Sequence, residues 1–101
     1  MKISTREFDP AAYLDNDEAL AAYMSEALET GDPAFITDAI GVVARARGMT
    51  QVAKDAGLSR ESLYRALSLD GNPEFATILK VVDALGLKLS ASARDAAGIV
   101  A

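Results

Sequence analysis

Residues 52–66, VAKDAGLSRESLYRA, constrain the fold more than any other stretch because they predict two short helices joined by a tight turn. Gly57 stands where the chain must reverse direction, since a residue without a Cβ atom adopts positive φ without steric cost. Ser59 then caps the second helix by accepting a backbone N–H. The residues expected to face inward from the helices and the turn are Val52, Ala53, Ala56, Leu58, Leu63 and Ala66.

Three other segments carry apolar residues at the helical period and predict helices over about residues 16–30, 33–47 and 73–85. Their expected starting residues are Asp15 or Asn16 as the first cap, Asp32-Pro33 for the second helix, and Asn72-Pro73 for the third. Their expected buried stripes are Leu20, Tyr23, Met24, Ala27 and Leu28; Ile36, Ala39, Ile40, Val43 and Ala44; and Phe75, Ile78, Leu79, Val82 and Leu85. Tyr13 is likewise expected in the core rather than at an interface.

A chain of 101 residues can build one hydrophobic core but not two. With the pair of helices around Gly57, the patterns predict a single all-α domain of five helices. We divide it into acidic N-terminal helices over residues 1–48 and a helix-turn-helix unit over residues 49–89. Residues 11–14 predict an additional short helical turn. Residues 87–91, LKLSA, alternate like a short strand that would need a partner strand, such as one from another copy of the chain.

The residue types argue against catalysis. The chain has no cysteine and no histidine, so it lacks a thiol nucleophile, the usual general base and the commonest metal ligand. An enzyme would have to use carboxylates or a Ser–Lys pair in a pocket. Asp15, Asp17 and Glu18 are close in sequence, but helix capping and the helix dipole explain acids at a helix start. We therefore expect no enzyme, no cofactor and no metal site.

The apolar residues are distributed as in a cytoplasmic protein. No apolar run approaches the roughly 20 residues that cross a bilayer. The first ten residues, MKISTREFDP, lack the apolar stretch of a signal peptide. We therefore expect a cytoplasmic protein without a membrane partner.

The charges are divided between the two parts of the chain. A net charge of −5 by itself disfavours nucleic acid as a partner, because phosphates attract Lys and Arg. Residues 1–40 contain only Lys2 and Arg6 as bases, against the acids Glu7, Asp9, Asp15, Asp17, Glu18, Glu26, Glu29, Asp32 and Asp38. Residues 45–65 reverse this balance with Arg45, Arg47, Lys54, Arg60 and Arg65 against Asp55 and Glu61. A basic patch therefore coincides with the helix-turn-helix, while the acidic segment could be a solvated face or a surface for a basic partner.

The second helix of such a motif enters the DNA major groove, with its first residues near the base edges. Arg60 or Arg65 could bind guanine in bidentate fashion, and Glu61 could accept from cytosine or repel wrong sites. The hydroxyls expected to contact phosphate belong to Ser59, Ser62 and Tyr64. Lys54, Arg45 and Arg47 could add further phosphate contacts, and Gln51 is also assigned to the DNA-binding residues.

The same residues could instead have a purely structural role. Glu61 and Arg65 are four residues apart in the order that favours a solvated ion pair on an exposed helix. Tyr64 could pack its ring against Leu67 instead of reaching DNA.

Residues 50–89 resemble the lambda-repressor-like, or XRE-type, DNA-binding domain. The matching residues are Ala53, Gly57, Leu58, Ser59, Leu63 and Ala66, followed by the Pro73 helix and Ala84-Leu85-Gly86-Leu87. In many such domains a Gln eight residues before the turn glycine binds phosphate. Here Met49 occupies that place and Gln51 lies six residues before Gly57, so the first motif helix is shorter.

Nearly the whole chain resembles HigA-type antitoxins, also called addiction module antidote proteins. The resemblance lies in FDPAAYL at 8–14, ALETGDPAFITDAIGVVARARGM at 27–49 and GLSRESLYRALS at 57–68. It implies that the chain binds and neutralises a small basic toxin of the HigB/RelE kind and represses its own operon. A helix-turn-helix regulator without a toxin partner is the alternative.

One unit of this size makes few phosphate contacts. Specific DNA binding usually comes from a two-fold dimer that contacts half-sites about 34 Å apart. We therefore expect a homodimer on operator DNA, with residues 85–91 and the faces of the Pro73 helix as its candidate surfaces.

Overall fold

The computed structural model describes residues 16–94, and these form five α-helices without a strand. The helices are α1 (Asp17–Glu29), α2 (Pro33–Arg47), α3 (Met49–Ala56), α4 (Arg60–Ala66) and α5 (Phe75–Ala84). The predicted all-α fold with five helices is confirmed. The helical turn predicted at residues 11–14, with Tyr13, lies outside the described residues.

The first two helices begin at the caps that the sequence predicts. The Asn16 side chain accepts from the Ala19 N–H at 2.7 Å, and the Asp32 side chain accepts from the Ala34 N–H at 3.0 Å. Pro33 occupies the first turn of α2, where its missing N–H needs no partner. These local interactions fix where the α1–α2 hairpin begins and turns.

The core lies around α3, which packs against α2, α4 and α5, while α1 packs along α2. The largest fully buried side chains are Leu20, Ile40, Val43, Val52, Leu63, Val81 and Leu85. Within residues 16–94 no polar or charged residue is buried. Burial of apolar surface, at about 25 cal/mol per Å², is therefore the main stabilising contribution of this core.

The start predicted for the last helix is wrong. Asn72 does not cap it and Pro73 is not its first residue, since α5 begins at Phe75 after Glu74, whose side chain makes no capping hydrogen bond. Glu74 has extended backbone angles, φ −66° and ψ 154°, so the helix begins only after it. Just upstream, Gly71 packs so tightly on the end of α4 that a Cβ there would stand 2.3 Å from the Ala66 carbonyl oxygen.

The strand expected over residues 87–91 does not form in this structure of a single chain. Gly86, at φ 80°, ends α5, and the Leu87 N–H donates back to the Val82 carbonyl at 3.1 Å. Leu87 then packs against the core. No second strand exists among residues 16–94 to pair with this segment, so its alternation of apolar and polar residues does not produce a strand.

The predicted buried stripes are correct for most residues but wrong at Leu28, Phe75 and Leu79, which are exposed, while Tyr23 and Ile36 are half-buried against the core. Leu28 and Phe75 lie near the C-terminal end of α1 and at the N-terminal end of α5. Leu79 lies in the middle of α5, where Val81, which the predicted stripe omits, is fully buried instead. Periodicity indicates which face of a helix is apolar but not how far along the helix that face is covered.

Candidate nucleic-acid interface

The turn between α3 and α4 has the geometry that the sequence predicts. Gly57 is left-handed at φ 74° and ψ 27°. The Leu58 N–H donates to the Ala53 carbonyl at 2.8 Å and the Gly57 N–H to the Lys54 carbonyl at 3.1 Å. This is the hydrogen-bond pattern of a Schellman helix end, which requires positive φ at the glycine. Residues 57–59 are thus enough to redirect the chain from α3 into α4.

Ser59 begins α4 as predicted. Its Oγ accepts from the Ser62 N–H at 2.9 Å and also donates to the Ser62 Oγ at 2.9 Å. The Ser59 hydroxyl therefore caps the helix. The half-buried Ser62 hydroxyl, which accepts from Ser59, can still donate a hydrogen bond beside the helix start.

Burial orients α4 with its polar side outward. Leu63 is fully buried on α3 and the core, as predicted, and Ala66 is half-buried. The exposed side chains of the helix are Arg60, Glu61, Tyr64 and Arg65. The burial of Leu63 thus fixes the rotation of α4 about its axis.

Arg60 and Tyr64 form a pair on this exposed side. The Arg60 Nη2 donates to the Tyr64 hydroxyl at 3.3 Å, and the guanidinium carbon lies 5.4 Å from the centre of the tyrosine ring. The contact combines a hydrogen bond with a cation–π interaction. The sequence suggests a phosphate contact or packing against Leu67 for Tyr64. Neither of these roles includes the observed contact with Arg60.

The ion pair considered for Glu61 and Arg65 is not formed within the described part of the chain. Arg65 instead lines a depression between α4 and the turn that precedes α5, together with Ser62, Ser68 and Asp70. The Ser68 Oγ donates to the Arg65 carbonyl at 2.9 Å. Ser68 and Asn72, which also line the depression, are polar groups beside α4 that were not predicted as DNA contacts.

On α3, Gln51 and Lys54 are exposed one turn apart. The Gln51 Nε2 donates to the Asp55 Oδ1 at 2.9 Å, so this amide is held on its own helix. Lys54 follows in the last turn of α3, next to the start of α4.

Arg45 and Arg47 do not join this surface. Arg47 forms an ion pair with Asp17 at the start of α1. Arg45 lies over Gly41, where an added Cβ would stand 3.6 Å from its Nη1. It also lowers the pKa of the Tyr23 phenol, against the larger raising effects of burial and of Asp38. Both arginines therefore make their contacts on the α1–α2 side of the molecule.

Two other features are absent from residues 16–94. No group of three or more histidine, cysteine or carboxylate side chains is arranged to hold a metal ion. None of the helices is long and apolar enough to cross a membrane.

Comparison with known proteins identifies the family to which the chain belongs. Residues 4–93 match the family described as "Probable addiction module antidote protein". An "Uncharacterized protein" of Haemophilus influenzae (strain ATCC 51907 / DSM 11121 / KW20 / Rd) is 48% identical over 83 residues, covering 82% of this chain and 86% of that protein. No solved structure matches the chain. With 90 of its 101 residues within the match, this chain belongs to the family of probable addiction module antidote proteins.

Proposed function

We propose that this protein is the antitoxin of a type II toxin–antitoxin module, which binds and neutralises a small basic toxin of the HigB/RelE kind and represses its own operon. Membership of the antidote family over residues 4–93 carries the proposal. The residues themselves support a binding protein with two differently charged surfaces rather than an enzyme, because acids and bases are separated along the chain.

The DNA-binding surface that we propose is the exposed side of α3 and α4. Arg60 and Arg65 are the candidates for base recognition, since a bidentate arginine–guanine contact discriminates by about 1–3 kcal/mol. Glu61 stands beside them as a candidate acceptor for cytosine. The proposed phosphate contacts, which position the helix without specifying sequence, are Gln51, Lys54, Ser59, Ser62 and Tyr64.

The operator-bound form is proposed to be a homodimer, because one short recognition helix supplies few contacts. Leu79 on α5 is an exposed apolar side chain that a second copy could cover. Sedimentation that shows only monomer at micromolar concentration, with and without operator DNA, would contradict this part of the proposal.

Co-expression tests the antitoxin role. The small open reading frame beside the gene is expressed alone and together with this chain, and growth and co-elution on a sizing column are measured. Toxicity that this chain relieves, with a stable complex, is the expected result. No toxicity and no co-elution would leave a helix-turn-helix regulator without a toxin partner.

A mobility shift tests the repressor role separately. The probe is DNA from upstream of the gene, with an unrelated fragment of equal length as competitor. Wild-type protein is expected to bind the upstream fragment preferentially, and a variant with both Arg60→Ala and Arg65→Ala is expected to lose that preference. Equal binding of both fragments by the wild-type protein would remove sequence-specific repression from the proposal.

A further inference from the structure

An apolar groove lies between α1, α2 and α5, and no described residue covers it. At one end it reaches Asn72 and Pro73, which also line the depression beside α4. Its lining includes Leu28 from α1, Ile36 and Ile40 from α2, and Phe75 and Ile78 from α5, with Leu89 at its edge. Leu28 is 42% exposed and Phe75 is 67% exposed, although both belong to apolar helix stripes. This feature is named here the α1–α5 groove.

The groove continues along α1. A neighbouring depression shares Met24, Leu28 and Leu89 with it and extends to Ala21 and Lys88. The apolar floor therefore follows about two turns of α1, which is the length over which a docked helix places anchors at i, i+3 or i+4, and i+7.

The α1–α2 border of the α1–α5 groove belongs to an acidic part of the chain. Between residues 16 and 44 the chain has no Lys or Arg, and its acids are Asp17, Glu18, Glu26, Glu29, Asp32 and Asp38. Glu18 lies one helical turn before the lining residue Ala21, and Glu29 lines an adjoining depression that shares Leu28 with the groove. Lys88 lines the extension of the groove along α1, and Arg94 lines the adjoining depression with Glu29.

We propose that the α1–α5 groove binds a basic amphipathic helix of the toxin, whose apolar stripe fills the groove and whose Lys and Arg residues face the acidic border. The inference rests on the proposed antitoxin function and assigns the neutralising surface. Helix-in-groove docking is the mode that suits a surface made of helices, since residues 16–94 contain no sheet edge that could add a strand.

Charge favours a basic helix of the toxin over the other possible occupants of the groove. A second copy in a two-fold arrangement would bring the acidic borders of both copies together, and like charges across an interface are unfavourable. The chain's own ends are also poor complements, because residues 1–15 contain three acids against two bases and residues 95–101 contain Asp95 alone. A basic partner gains both the apolar contact and the electrostatic attraction.

The test measures binding of the purified product of the adjacent small open reading frame to the full-length chain by titration calorimetry. Leu28→Arg and Phe75→Arg each place a cation in the groove from a different wall. Leu69→Arg is the matched control, because Leu69 is 89% exposed on the turn before α5 and does not line the groove. Thermal unfolding and DNA binding are measured on all three variants to verify that they fold.

Both groove variants are expected to bind the toxin on the order of tenfold more weakly or worse, while Leu69→Arg stays within about twofold of wild type. Wild-type binding is expected to weaken as salt rises from about 0.1 M to about 1 M. If wild type binds the toxin but folded groove variants bind equally well, the groove assignment fails and the antitoxin function stands. If wild type does not bind, both proposals fail. If the variants change the dimerisation constant and not toxin binding, the groove is a contact between copies and the assignment is overturned.

Discussion

The Arg60 guanidinium lies 5.4 Å from the centre of the Tyr64 ring, one turn further along α4, and donates a hydrogen bond to its hydroxyl. The pair holds a planar cation in a defined orientation on the exposed side of a helix that the burial of Leu63 orients. An arginine oriented in this way retains less rotational freedom to lose when it binds a guanine edge.

The first prediction is that Arg60→Lys weakens operator binding by about 1–3 kcal/mol while leaving the folding stability unchanged. Lysine keeps the charge but lacks the planar fork that binds guanine O6 and N7 together. The measurement is a mobility-shift titration on the upstream DNA and on an unrelated fragment at one salt concentration. A specific role for Arg60 predicts that the loss is confined to the upstream DNA.

Arg94→Lys is the matched control for this experiment. Arg94 is an exposed arginine after α5, next to the α1–α2 turn, and outside the proposed DNA surface. It should bind both DNA fragments as wild type does. Equal weakening of Arg60→Lys on both fragments would assign Arg60 to phosphate contact instead of base recognition.

The second prediction concerns Ser59, which has a structural and a proposed binding role. Ser59→Ala removes the acceptor for the Ser62 N–H and should lower the free energy of unfolding by about 0.5–2 kcal/mol. Ser59→Asp keeps a capping acceptor, so it should retain most of the stability, but its negative charge should weaken DNA binding. Urea unfolding and DNA titration on both variants separate the two roles. Unchanged DNA affinity in Ser59→Asp would place Ser59 away from the phosphates.

The sequence predicts those parts of the fold that local chemistry decides. Asn16, Asp32 and Ser59 cap helices where short-range hydrogen bonding requires it, and Gly57 turns the chain because its φ is positive. The prediction fails at Asn72 because Glu74 is extended, at φ −66° and ψ 154°, which the turn residues Asn72 and Pro73 do not by themselves indicate.

The candidate site likewise contains features that could be predicted from the sequence and features that could not. The exposure of α4 follows from the position of Leu63 in the pattern, so its outward residues could be predicted. The ion pair of Arg47 with Asp17 could not, because these residues are 30 positions apart and meet only when α1 packs along α2. The uncovered groove at Leu28 and Phe75 also depends on where neighbouring helices end.

The third prediction compares two glycines. Gly71→Ala should lower the free energy of unfolding by about 1–3 kcal/mol or more, because the new Cβ would stand 2.3 Å from the Ala66 carbonyl oxygen and 2.8 Å from that of Arg65. Backbone atoms at the end of a packed helix cannot move aside as a flexible side chain can. Urea unfolding monitored by circular dichroism measures the change.

Gly41→Ala is the control for the same substitution. Gly41 lies inside α2, and its added Cβ would meet nothing closer than 3.6 Å. Replacing a glycine inside a helix should stabilise the protein by about 0.5–1 kcal/mol. Destabilisation of both variants by the same amount would show that the contact at Gly71 is not the cause.

The fourth prediction is a pH dependence that originates at Tyr23. Burial raises the pKa of its phenol above the ordinary value of 10.0, the carboxylate of Asp38 raises it further, and Arg45 opposes them. Below that ordinary value the phenol is protonated in both the folded and the unfolded chain, so it contributes no pH dependence. As pH rises above it, the unfolded chain ionises first, unfolding releases a proton, and the free energy of unfolding falls until the folded phenol also ionises.

Tyr23→Phe should therefore lose less stability than wild type when urea unfolding is compared at pH 8 and at about pH 11, above the ordinary phenol pKa. Asp38→Asn should fall between the two, because it removes only the second of the two raising effects. The comparison uses the change in unfolding free energy between the two pH values within each variant, so a constant effect of the substitution cancels. Identical changes in wild type and Tyr23→Phe would mean that the phenol is equally solvated in the folded and unfolded chains, and Tyr23 would then lie outside the packed surface between α1 and α2.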